Sequence, residues 1–297
     1  MKHQQIRGLV QIADNGSIRA AARNMGISQS ALTRTMRELE IDLGAELFQR
    51  SYRGVSFTFA GEALLRRARL VLETLESARD EIKQIAGGRG GRVRVGLTPV
   101  TMVSFFPSIY RQFTQALPDA SLSLKEGLLT GIIPDLLEGR LDFGVAIAAS
   151  TQLPSELSFT PMVAIRSCVA GREAHPVAHS HDWPTLLQQR WVLNLSQGSS
   201  SNLFLTWLTQ QNLPRPAHIV ECSSPFLMLE MMRRTDLIGY GPARLFDDPL
   251  CGNAVQTFDI SPQPGDVTVG IIRLRGTPLT PTAQVLETLF RRELAHL

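Results

Sequence analysis

Apolar positions repeat at helical spacing through the first 86 residues. Beyond residue 92 they switch to short strand-like runs alternating with helical ones. Ile6, Leu9, Val10 and Ala13 mark a first helix, which Asn15-Gly16 ends. Residues 17–43, SIRAAARNMGISQSALTRTMRELEIDL, predict two helices joined by a tight turn at Gly26. In the second helix Leu32, Met36, Leu39 and Leu43 form one apolar stripe. Ser30, Thr33, Arg34 and Arg37 share another face, with hydroxyl and guanidinium groups and no carboxylate among those four. Ser17 and Ser28 stand where a hydroxyl can accept from an orphan N–H at each helix start.

Residues 46–58, ELFQRSYRGVSFT, read as a β-hairpin with Gly54 near its turn. From Phe59 to about Ala86 the pattern is helical again. Leu64, Ala68, Val71, Leu75, Ala78, Ile82 and Ile85 follow a heptad seam. Such a helix extends roughly 40 Å, too far to bury itself against a three-helix headpiece. The first reading is therefore a coiled coil with a second copy of the chain; packing along the chain's own C-terminal part is the second. GGRGGR (87–92) reads as a flexible hinge, since a single RGG copy between structured regions argues against an RNA-binding tract.

The C-terminal two thirds alternate strands and helices. VRVGLT (93–98), SLSLKEG (121–127) and LDFGVAI (141–147) are strands, and PVTMVSFFPSIYRQFTQAL and IIPDLLEGR are helices between them. Strand signals continue in RSCVAGREAHP, WVLNL, AHIVECSS, LIGYGP and residues 267–275. Helices are expected near 201–213 and 225–234 and in the closing TPTAQVLETLFRREL. This order implies an α/β domain with a largely parallel sheet, long enough for two lobes and a cleft.

Composition adds a modest charge asymmetry. Residues 1–91 hold 14 Lys+Arg against 10 Asp+Glu, whereas residues 92–297 hold 16 against 17. The positive excess sits with the helix pair, as phosphate contact requires. A helix-turn-helix places such a polar face in the DNA major groove, where Arg pairs with guanine; a solvated face on an ordinary helix pair is the bland alternative. Arg50 and Arg53 would stand at the base and tip of the hairpin, positioned for the sugar-phosphate backbone or for mere surface solubility. With no signal peptide and no spanning apolar run, a cytoplasmic protein without membrane contact is expected. Cys168, Cys222 and Cys251 lack metal-type spacing and suggest idle thiols. No nucleophile elbow, Walker loop or zinc-ligand pair appears. GYGPA (239–243) falls short of a dinucleotide fingerprint because Arg244 follows. His175, His179 and His181 read as a polar surface loop before a metal site. No cofactor, metal or catalytic residue is expected. A stand-alone solute-binding protein would have no use for the N-terminal helix pair.

Taken in order and at their spacing, GSIRAAARNMGISQSALTRTMRELEIDLGAELFQR, RGVSFTFAG, GRVRVGLT, PDLLEGRLDFGVAI and DLIGYGP resemble the LysR-type transcriptional regulators over essentially the whole chain. Two departures are Ser30, where that family commonly has proline, and Phe59-Ala60, in place of Thr-Pro. The resemblance implies a winged helix-turn-helix over 1–58, a linker helix and hinge over 59–91, and an effector-binding domain over 92–297. That domain would be two-lobed, resembling type 2 periplasmic binding proteins, with lobe I at about 92–162 and 268–297 and lobe II at about 163–267. It further implies a homodimer through the linker helix, a homotetramer that bends double-stranded DNA, and contact with RNA polymerase under control of a small effector. Carried over by position, Gln29, Ser30, Thr33, Arg34 and Arg37 would approach bases, with Arg50 and Arg53 on the backbone. Effector contacts would come from loops after strands: Thr98, Val100, Thr101, Leu128, Thr130, Ser196, Gln197, Ser199, Ser200, Ser223, Pro225 and Phe226. Such loops present backbone N–H groups at helix starts, and SQGSSS (196–201) is dense in uncharged donors, so an anion is a fitting guest; a plain flexible loop is the alternative. With Val100, Leu128 and Phe226 as apolar wall, an aromatic or otherwise partly apolar acid is the expected effector.

Overall fold

The computed structural model describes residues 1–51, 54–87, 90–248 and 254–295. Two compact units emerge, Met1–Gly88 with Leu137–Arg140, and Arg89–Leu136 with Leu141–Leu297.

The first unit opens with α1 (His3–Asn15), α2 (Ile18–Met25) and α3 (Gln29–Leu43). Each helix gives way to a glycine in the left-handed region: Gly16 (φ 66°), Gly26 (φ 67°) and Gly44 (φ 63°). Ser17 accepts from Ala20 N and Ser28 from Ala31 N, both at 3.1 Å, so the sequence places both caps correctly. Ile6, Leu9 and Val10 of α1 pack with Ala21, Ala22, Leu32, Met36 and Leu39 in one core. Leu43, at the end of the predicted stripe, remains 41% exposed because α3 stops there. A hairpin of β1 (Phe48–Ser51) and β2 (Gly54–Phe57) follows, with Arg50 opposite Val55. Thr58 then caps α4 (Phe59–Ile85): its hydroxyl accepts from Gly61 N at 3.0 Å and donates to Glu46 O at 2.7 Å. Along α4, Ala68 is buried and Leu64 and Leu65 pack on the helix core. Val71, Leu75, Ile82 and Ile85 of the heptad seam stand exposed, Ile82 at 65% and Ile85 at 70%.

The second unit contains two five-stranded sheets. The first runs β4 (Ser121–Glu126), β3 (Arg92–Leu97), β5 (Phe143–Ile147), β12 (Val267–Leu274), β6 (Leu157–Ile165). The second runs β11 (Val255–Thr257), β7 (Ser167–Arg172), β10 (Leu237–Pro242), β8 (Arg190–Leu193), β9 (His218–Glu221). In each sheet two neighbouring pairs are parallel and two antiparallel, so the expected parallel majority is not found. The cause is the double crossing between sheets. β6 leaves the first sheet as β12 returns to it, and two strands running in opposite directions along one edge pair antiparallel.

The helix expected over PVTMVSFFPSIYRQFTQAL is broken into α5 (Pro99–Ser104) and α6 (Phe106–Ala116). Phe105 (φ −121°) precedes Pro107, which disfavours unbroken helix just before it. α7 (Leu129–Leu137) and α12 (Pro281–Ala295) complete the helices of the first lobe, whose core joins Val95, Phe105, Phe143, Ile271 and Phe290. In the second lobe α8 (Trp183–Leu187) and α9 (Ser200–Gln210) cover one sheet face, packing Trp191 and Phe204 against Tyr240. α10 (Pro225–Arg234) and α11 (Ala243–Phe246) cover the other, with Met232 and Phe246 against Ala170 and Val192. A single residue, Arg166, links the sheets on one crossing, and its carbonyl accepts from Ala243 N at 2.8 Å.

Candidate functional site

Two places bring predicted site residues together. On the first unit, Gln29, Ser30, Thr33, Arg34 and Arg37 line one shallow surface depression on α3. The opposite face of the same helix is held in the core by Leu32, Met36 and Leu39, so the polar row is fixed outward. Ser30 Oγ lies 3.0 Å from the capping Ser28 Oγ, which ties the unusual serine into the start of the helix. A carboxylate does reach this face: Arg34 Nε donates to Glu38 Oε1 at 2.9 Å, one turn along. The sequence reading overlooked it by comparing only the four residues of the row. That bond engages Nε and leaves the guanidinium's outer edge open, the edge that pairs bidentately with guanine. Arg50 lies in β1. Arg53 falls outside the described residues.

The second place is a cavity of about 90 Å³ between the lobes of the second unit. Thr98, Val100 and Leu128 line it from the first lobe, with Ser199, Ser200 and Pro225 from the second. Thr101 is buried behind this wall, its hydroxyl bonded to Thr98 O at 2.7 Å and Val145 O at 3.0 Å. Thr130, Ser196, Gln197, Ser223 and Phe226 are exposed and absent from the lining; Phe226, the second residue of α10, is 65% exposed. The loop SQGSSS is more committed than its composition implies. Ser199 Oγ caps α9 by accepting from Asn202 N at 3.0 Å and also donates to Asn194 O, while Ser201 Oγ accepts from Asn194 N at 3.2 Å. Free amides at the start of α9, beside Ser200, remain as anion donors.

Much of the wall escaped the sequence reading, which searched only strand-to-helix loops. Met228, Leu229 and Met232 come from one face of α10, and Tyr240, Gly241 and Pro242 from the end of β10. Leu245 and Phe246 come from α11. The continuous apolar run LIGYGP was the available signal that a central strand ends at the cleft. No charged side chain is among the described residues that line the cavity.

The other chemistry considered resolves into structure. His175 is 3% exposed; its Nδ1 accepts from Val177 N and its Nε2 faces Asp236 O, each at 3.2 Å, an arrangement that fits the neutral Nε2–H tautomer. Among the described residues no group of three or more His, Cys, Asp or Glu could hold a metal ion, and no helix is long and apolar enough to cross a membrane. Burial pushes the Cys168 thiol up to about 12.

Comparison with known proteins decides the family. Residues 3–62 match the model of the bacterial regulatory helix-turn-helix protein of the lysR family, and residues 86–295 match the LysR substrate binding domain. The chain belongs to the LysR family. Among relatives of this LysR-type transcriptional regulator, ClcR of Pseudomonas putida is 35% identical over 144 residues, 48% of this chain and 49% of ClcR. GbpR of Rhizobium radiobacter is 29% identical over 243 residues, 78% of each chain. The chain thus spans about half the length of ClcR in the first match and more than three quarters of GbpR in the second. The crystal structure of full-length CbnR complexed with its target DNA shares the fold, with a TM-score of 0.67 at 21% identity, covering 99% of this chain and 100% of CbnR. The family is one of regulators and not of enzymes. The two matched regions coincide with the helical first unit and with the two-sheet α/β second unit.

Proposed function

We propose that this LysR-type regulator reads a two-half-site operator on double-stranded DNA and changes its grip when a small organic acid occupies the interlobe cavity. The observation that carries the DNA reading is the row Gln29, Ser30, Thr33, Arg34 and Arg37, which shares one outward concavity on α3. Arg34 and Arg37 read or approach base edges, the hydroxyls and Gln29 supply further contacts, and Arg50 and Arg53 approach the phosphate backbone. The exposed apolar stripe Val71, Leu75, Ile82 and Ile85 supports a homodimer through α4, which sets the spacing of the two reading helices. Pairs of such dimers form the working tetramer, act in the cytoplasm and contact RNA polymerase.

The effector is an organic acid, aromatic or otherwise partly apolar. Its carboxylate faces the amides at the start of α9 near Ser200 and Thr98. Its body lies against Val100, Leu128 and Pro225. Binding between lobes shifts an existing equilibrium of the assembly by its preference for one lobe arrangement.

Arg34→Ala tests the reading face. In a salt series on DNA from upstream of the regulator's own gene, the variant is expected to lose about 1–3 kcal/mol of sequence discrimination while weaker, salt-sensitive binding persists. Unchanged selectivity would remove Arg34, and the face with it, from the proposal.

A further inference from the structure

One side chain fastens the β1–β2 hairpin to the reading helix. Glu40 sits in the last turn of α3, and its Oε1 accepts from two successive backbone amides, Leu47 N at 2.8 Å and Phe48 N at 3.3 Å. Phe48 is the first residue of β1. Glu40 O accepts in addition from Ala45 N at 3.2 Å, so the chain leaving α3 folds back around this residue before it enters the hairpin. A carboxylate in this place is unfavourable on two counts. It opposes the dipole at the C-terminal end of its own helix. It also lies beside the reading row, where DNA phosphates would repel it. Arg37 marks that closeness, because it borders both the depression with Gln29, Ser30, Thr33 and Arg34 and the one that Glu40 lines. The two amides offset the cost.

The hairpin needs such a fastening, since a two-stranded ribbon is marginal on its own. Phe48, Val55 and Phe57 pack it against the helix core. Apolar packing is non-directional, whereas bonds from two adjacent amides to one charged acceptor fix a direction. From the other side Thr58 N donates to Leu47 O at 3.0 Å and Thr58 Oγ1 to Glu46 O at 2.7 Å. The end of α3 and the start of α4 thus grip the same short segment, residues 46–48. We infer that Glu40 is a positioning residue for DNA contact: it sets the angle between α3 and the hairpin, so that the hairpin meets phosphates of the half-site whose bases α3 reads. This inference rests on the reading of α3 and the hairpin as DNA contacts.

Two charge-matched comparisons on the full chain test it. Glu40→Gln keeps an oxygen in reach of both amides and Glu40→Ala does not, while both lose the charge. Glu40→Asp keeps the charge of the wild type and draws the oxygen back by one methylene. Binding is followed by fluorescence anisotropy across a salt series, on a duplex from upstream of the regulator's own gene and on a scrambled duplex of the same composition. Glu40→Ala should bind roughly tenfold more weakly than Glu40→Gln, and its slope of log affinity against log salt should be shallower by about one to two, as when each hairpin of a dimer loses a phosphate contact. Glu40→Asp should fall short of the wild type in the same way. The ratio of affinities for the two duplexes should stay within about threefold, because α3 still reads the bases. Replacing Arg50 and Arg53 by Ala should abolish the difference between Glu40→Ala and Glu40→Gln, which a general loss of stability would not do. Equal affinity and slope within both pairs, or a difference that persists without Arg50 and Arg53, would overturn the positioning role. If neither Glu40→Ala nor Glu40→Asp folds, Glu40 holds the whole unit together and the role is overturned as well. If Arg50→Ala with Arg53→Ala leaves the salt slope unchanged in a chain that keeps Glu40, the hairpin does not touch phosphate, and the reading beneath this inference falls instead.

Discussion

Gly61 offers a sharp test of how the DNA-reading unit is assembled. It lies in the first turn of α4, and a Cβ built on it would stand 2.1 Å from the Leu47 carbonyl oxygen, 3.0 Å from the Leu47 carbonyl carbon and 3.1 Å from Phe57 Cδ1. Ordinary contact begins near 3.4 Å, so Gly61→Ala must push α4 and Leu47 apart by about 1.3 Å. The obstacle is backbone and cannot rotate away. Leu47 N and Phe48 N also donate to Glu40 Oε1, at 2.8 and 3.3 Å, so the shift pulls on α3 itself. Overpacking of this kind costs about 1–3 kcal/mol, and a rigid neighbour places it toward the upper end. Alanine's better helix propensity offsets roughly 1 kcal/mol. The net loss is about 2 kcal/mol, a fall of roughly 8–16 °C in melting temperature for a unit of this size. Gly131, in α7, is the internal control: nothing lies within 4 Å of its Cβ position, so Gly131→Ala should be neutral or up to about 1 kcal/mol stabilising. Calorimetry of the full chain, with hydrogen exchange to assign the loss to α1–α4, measures both. If Gly61→Ala melted no lower than Gly131→Ala, the close packing of α4 on the β1 entry would be wrong.

Other outcomes follow from the same reasoning. Ile82→Asp with Ile85→Asp places two charges on the exposed seam of α4 and should convert an oligomer to monomer in sedimentation velocity; an unchanged sedimentation coefficient would refute dimerisation there. Iodoacetamide at pH 8 should leave Cys168 unmodified in the folded chain and label it on denaturation, as mass spectrometry would show; rapid native labelling would contradict its burial. Burial raises the Asp142 carboxyl above its usual range, although Arg94 opposes the shift through its charge and through a 2.6 Å bond from its backbone N–H. The folded chain therefore holds this proton to higher pH than the unfolded chain. Its contribution is full below the unfolded pKa and declines as pH rises through the folded one. Asp142→Asn cannot titrate, so the variant's melting temperature should gain on the wild type from acid toward neutral pH; a constant gap or the opposite trend would count against the argument.

The helix-turn-helix was legible because its signals are local. Ser17, Ser28 and three left-handed glycines mark helix ends within a few residues, and the stripe of Leu32, Met36 and Leu39 assigns the faces of α3 without any distant partner. The alternation of strands and helices was readable for the same reason. Strand direction was not: the antiparallel β6–β12 edge follows from residues more than 100 apart that meet where the chain crosses between lobes. Local pattern likewise missed the break at Phe105.

The cavity shows the same division more clearly. Thr98, Val100, Leu128, Ser199, Ser200 and Pro225 could be anticipated, since loops after strands open toward one end of an α/β sheet. Which hydroxyls stay available could not. Ser199 is consumed by its own helix cap and by Asn194 O, whereas Ser200 beside it lines the cavity. Hydrogen-bond satisfaction depends on every neighbour in three dimensions, and a one-dimensional pattern records only the residue types that can take part.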